Sequence, residues 1–145
     1  MRRALLAGIA ACIAAAASGQ PVTCTRAELE SAVTEAARAL GALTEKNTAP
    51  FQAKLRSLKD KRGWSHDQFM TEAAPFVQDD RIAEIDARSG ELLDRINSVS
   101  VAGSSARVPD CALLAQLRAT MATLVETQAA KWAYMFQKLD AELAR

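Results

Sequence analysis

Lys59-Asp60-Lys61-Arg62-Gly63-Trp64-Ser65-His66-Asp67-Gln68 closes one helix and opens another. Lys59, Lys61 and Arg62 suit the negative end of a helix dipole, and Gly63 can take the left-handed conformation that ends it. Ser65, with Gln68 three positions later, is a capping box, the mark of a helix start. So short a connection returns the chain antiparallel, which predicts a helical hairpin with its tip at Gly63.

Upstream, Thr25-Arg26-Ala27-Glu28 is another capping box. Leu29, Val33, Ala36, Leu40 and Leu43 follow at steps of three and four, the period of one helix face. That face resumes beyond Pro50 at Phe51, Leu55 and Leu58, and Leu40 and Phe51 lie about three helical turns apart. The phase survives the proline, so a first helix kinked or broken at residues 47–50 is expected.

Downstream of the hairpin, Phe69, Ala73 and Phe76 share one face, while Ile82, Ile85, Leu92, Ile96 and Val99 are out of phase with it. Pro75 and the pair Asp79-Asp80 supply a break, with Asp80 expected to cap the new segment. Residues 98–107, containing Gly103-Ser104-Ser105, read as a flexible connection. Pro109 and Asp110 then open a last helix, faced by Leu114, Leu117, Met121, Leu124, Trp132 and Leu139.

The amino terminus is of another kind. Arg2 and Arg3 precede an unbroken small and apolar run over residues 4–17, followed by Ser18-Gly19-Gln20-Pro21. This pattern predicts a secretory signal peptide over residues 1–19, cleaved near Ala17 or Gly19, and a single helical domain over residues 20–145. The run falls short of the roughly 20 apolar residues of a membrane span. Ile9-Ala10-Ala11-Cys12 has the form of a lipid-attachment box, but the apolar run continues past Cys12 where a lipoprotein turns polar, so lipidation there is the lesser reading. Export places the protein in the periplasm or outside the cell.

Loss of the signal removes Cys12 and leaves Cys24 and Cys111. In an oxidising compartment these are expected to form a disulfide. Each lies at the start of a helix, so the two helices must begin at the same end of the molecule. An even number of chain reversals meets that condition, and a regular up-and-down four-helix bundle does not. The expected fold is all-α: an antiparallel three-helix bundle with kinked or broken first and second helices, stapled by one disulfide.

Composition excludes more chemistry than it supports. The 18 basic and 17 acidic residues are interspersed, without the basic face of a nucleic-acid binder. His66 is the only histidine, and with Met70 it makes just a two-ligand pair, so no metal site and no cofactor is expected. There is no glycine-rich phosphate loop, and no Ser or Cys nucleophile has a base at hand, which argues against an enzyme. Asp79, Asp80, Glu84 and Asp86 read as acids favouring a helix start, and Lys138 with Glu142 as a surface helix pair. Leu43-Thr44-Glu45-Lys46-Asn47 resembles the Leu-Thr-x-x-Gln element of small periplasmic helical chaperones, with Asn47 in place of Gln; one short copy assigns no family.

Two functional expectations follow. The first is a non-enzymatic bundle that binds another envelope protein, as a chaperone, adaptor or inhibitor does, or a second copy of itself; Trp64 at the hairpin tip and Val108 before the last helix are the candidate contacts. The second is a small apolar ligand held in a mid-bundle layer, walled by Phe51, Phe76, Trp132, Tyr134 and Met135 and anchored by Gln128 or Lys131.

Overall fold

A computed structural model describes residues 24–107 and 110–145. These are helical, in the order α1 (Arg26–Arg62), α2 (His66–Glu72), a 3₁₀ turn (Ala74–Phe76), α3 (Asp80–Ser105) and α4 (Cys111–Leu143). The expected signal peptide and Val108 lie outside the described residues.

The helix ends follow their local chemistry. Thr25 and Ser65 each accept from the backbone N–H three residues on, and Glu28 and Gln68 reciprocate, so both capping boxes form. Gly63 ends α1 at φ 64°, the left-handed region where only a residue without Cβ is unstrained. Asp110 opens α4 by accepting from the Ala112 N–H.

Of three expectations, one is met in part and two need correction. First, α1 is not broken at Pro50 but continuous through it, as the unbroken phase of its apolar face implies. Phe51, directly after the proline, is buried in a core cluster with Leu58, while Leu29 and Ala32 are buried in another, so α4 holds the helix on both sides of the lost hydrogen bond. The Asn47 side chain donates to the Leu43 carbonyl just before it. Second, the break after Pro75 is complete, and its cap is Asp79, whose carboxylate accepts from the Ile82 N–H; Asp80 is the first helical residue. Third, residues 98–105 continue α3. Gly103 is buried, and a Cβ there would stand 3.2 Å from Leu29 Cδ1, so its missing side chain lets α1 close in. Arg26 donates to the Ser104 carbonyl, a cation at the negative end of α3.

Cys24 and Cys111 are joined by a disulfide with Cα atoms 5.3 Å apart. At the far end Arg62 pairs with Glu142 and Lys61 donates to the Leu143 carbonyl, so α1 and α4 run parallel. Gln128 meets Ser89, Lys131 meets Asp86 and Lys138 meets Asp79: each step along α4 is matched by an equal step back along α3, which therefore runs antiparallel to it. Both α1 and α3 pack extensively on α4 and little on each other.

Two apolar clusters result. One, near the disulfide, gathers Leu29, Ala32, Val99, Leu114, Leu117 and Met121. The other, at the hairpin end, gathers Phe51, Leu58, Phe76, Ile82, Met135 and Leu139. Between them is a waist carrying Leu40, Leu43, Ser89, Leu93, Leu124 and Gln128.

Candidate functional site

The aromatic residues singled out from sequence do meet. Phe51 lies edge-on to both Trp132 and Phe136, with ring centroids 5.9 and 5.4 Å away, and Phe76, Tyr134 and Met135 join the same cluster. Phe51, Phe76 and Met135 meet as packed core, while Trp132 and Tyr134 are half-buried at its edge.

Of the two candidate anchors, Gln128 bonds Ser89 and borders a hollow together with Trp132, while Lys131 is engaged along the α3–α4 seam. Lys131 grips both oxygens of Asp86, at 2.6 and 2.8 Å. The Tyr134 hydroxyl donates to Asp79 at 2.8 Å, and Lys138 reaches the same carboxylate and the Pro75 carbonyl, leaving Glu142 to Arg62 and Arg145. Lys138 and Glu142 are therefore not the surface pair that their spacing suggests. Asp79 gathers the most partners of these groups. The Lys138 hydrogen bond, followed by the Ile82 N–H, lowers its pKa to about 2. The bond to Asp79, with burial second, raises that of Tyr134. A carboxylate so far below neutrality is a poor general base, and its hydrogen-bonding capacity is taken up in pinning the start of α3 to α4.

Trp64 is half-buried against the hairpin-end core, so it covers the end of the molecule. With Arg62, Pro75, Phe76, Lys138 and Arg145 it borders a hollow of about 640 Å³, whose cations are already paired with Glu142 and Asp79. His66 and Met70 are exposed on α2. Among the described residues, no three His, Cys, Asp or Glu side chains converge as metal ligands would, and no helix is long and apolar enough to cross a membrane.

The feature that sequence reasoning missed is the seam between α1 and α3, floored by α4. It opens in two places. Near the disulfide, Leu29, Val33, Ser100 and Leu117 border a hollow of about 250 Å³. At the waist, Leu40, Leu43, Leu93, Leu124, Gln128 and Trp132 border one of about 230 Å³, with no charged residue in its lining. In its lining Gln128 Nε2 donates to Ser89 Oγ at 2.8 Å. Val33, Ala37, Leu40, Gly41 and Thr44 recur along this side of α1, and Gly90, Leu93, Asn97, Ser100 and Ser104 along that of α3. Val33 is 41 % exposed and Leu93 53 %. Val33, read from sequence as part of the core face of α1 with Leu29, is instead exposed beside the hollow near the disulfide.

Compared with protein-family models, curated proteins and solved structures, the chain matches none.

Proposed function

We propose that this is an exported, non-enzymatic protein that binds another protein of the cell envelope, as a chaperone, adaptor or inhibitor does. In this reading α1, α3 and α4 form a three-helix bundle with α3 antiparallel to the other two, freed of its signal peptide near Ala17 or Gly19 and acting in the periplasm or outside the cell. The observation that carries it is the waist of the α1–α3 seam, apolar, uncharged and open, in a molecule whose acids and bases along the α3–α4 seam serve helix caps and ion pairs. Exposed Leu and Val side chains along a concave strip favour a macromolecular partner. The waist hollow, at about 230 Å³, is smaller than the roughly 300–1,000 Å³ of ordinary small-molecule sites.

Native mass spectrometry of the protein taken from its own envelope fraction, with and without reductant, tests this. The expected result is a disulfide-bonded chain accompanied by a second polypeptide. A chain carrying one small extra mass and no polypeptide would replace this reading with that of a ligand carrier.

A further inference from the structure

We infer that the Cys24–Cys111 disulfide is a redox latch on a flap made of the first half of α1. When the bond is reduced, residues 26–46 leave α4, the boundary lies at Pro50, and the hairpin half of the molecule stays folded. The two halves of α1 are held in different ways. Beyond Pro50, Phe51 and Leu58 are buried, Lys54 pairs with Asp140 and Arg62 with Glu142, and Lys61 donates to the Leu143 carbonyl. Before it, the buried side chains are Leu29 and Ala32, and among the described residues no ion pair joins this stretch to α4. Hollows flank it on both sides. One of about 490 Å³ lies between Ala36 and Ala39 of α1 and Ala122 and Val125 of α4, and one of about 250 Å³ is bordered by Leu29, Val33, Ser100 and Leu117. Alanines bury little apolar surface, so the disulfide is the strong tie at this end.

The boundary has its own chemistry. Pro50 offers no N–H to the Lys46 carbonyl. Just before it Thr44, Asn47 and Thr48 donate to the carbonyls of Leu40, Leu43 and Thr44, four residues back, a kind of bond that loosens and bends helices. Both cysteines are only half-buried. A dithiol opens the latch: its thiolate attacks one sulfur, forming a mixed disulfide and releasing the other as a thiolate, and its second thiol displaces the first. Two electrons and two protons thereby pass to Cys24 and Cys111, and the dithiol closes to a disulfide. Once Leu29 and Ala32 leave, their core partners Leu114, Leu117 and Met121 face water on one side. Exposure of that apolar face then follows the thiol–disulfide balance around the protein.

Hydrogen exchange read by mass spectrometry tests this on the disulfide-bonded chain, on the chain reduced with dithiothreitol and on the chain reoxidised. Reduction should widen the gap in protection between residues 30–46 and 52–60 at least about tenfold, and reoxidation should restore it. The fluorescence of added anilinonaphthalene sulfonate should rise and fall over the same cycle, and Cys24→Ser/Cys111→Ser should bind the dye without reductant. Pro50→Ala returns the missing N–H and should narrow the gap of the reduced chain at least about threefold. Equal loss of protection on both sides of Pro50, loss confined to the first turn of α1, no loss, or no rise in dye fluorescence would overturn the latch. So would a reduced Pro50→Ala chain that opens as the wild type does. None of these outcomes bears on the protein-binding reading, which stands or falls separately.

Discussion

Removing the disulfide gives the sharpest test of how this molecule is held together. Cys24 and Cys111 are 87 residues apart, and in the chain-entropy model a loop of that size contributes about 4–5 kcal/mol. A protein of this kind has roughly 5–15 kcal/mol in all, so the bond supplies a large share. Its effect should also be uneven. The core beside it is aliphatic, built from Leu29, Ala32, Val99, Leu114, Leu117 and Met121. Among the described residues, the ion pairs between helices lie from Asp86 and Lys131 toward the hairpin end, where the aromatic core also sits. Urea unfolding of Cys24→Ser/Cys111→Ser should show a loss of about 4 kcal/mol against the oxidised protein. Hydrogen exchange should lose protection first at the beginnings of α1 and α4 and the end of α3, while amides near Leu58 and Leu139 hold longest. A loss below about 1 kcal/mol, or opening that starts at the aromatic end, would refute this account.

The remaining predictions concern single side chains. Asp79 has a folded pKa of about 2 against an ordinary value of 3.8, so its contribution is complete above pH 3.8, drains as the unfolded chain takes up the proton, and is gone below about 2. The Tm gap between wild type and Asp79→Asn, followed by circular dichroism, should therefore close across that window; a gap constant down to pH 2 would count against the Lys138 and Ile82 contacts as its cause. Phe51→Ala should cost about 3–5 kcal/mol and shift tryptophan emission to the red as Trp132 loses its neighbour, whereas a cost under about 1 kcal/mol would mean that the ring cluster is loosely packed. Gly90→Ala, whose new Cβ meets open space, should raise stability by about 0.5–1 kcal/mol, and Gly63→Ala, at φ 64°, should lower it by about 1–2 kcal/mol. Thermal melts with effects of the reverse sign at either glycine would overturn those backbone assignments.

The candidate site residues were legible in part. That Phe51, Phe76, Trp132, Tyr134 and Met135 come together follows from helix phase and from a hairpin centred on Gly63, and they do form one cluster. Whether such a cluster is a pocket or a core depends on how closely three helices approach, and Phe51, wedged between Trp132 and Phe136, makes it core. The roles of Lys131 and Lys138 depended likewise on which acids of α3 faced them, a matter of the register between two helices far apart in the chain.

By itself the sequence determined the helical class, the capped ends at Thr25, Gly63, Ser65 and Asp110, and the pairing of Cys24 with Cys111. Caps are local: Thr25 with Glu28, Ser65 with Gln68 and Gly63 each act within one turn, so neighbouring residues suffice to place them. Tertiary structure alone decided that α3 runs on through Gly103, where α1 closes in at Leu29, and that α1 and α3 touch little elsewhere, leaving an uncharged hollow at the waist. Each of these turns on packing between residues distant in the chain. Closing Leu29 over Gly103 favours the continuous α3 against the local cost of a glycine, and no short stretch of sequence records that contact.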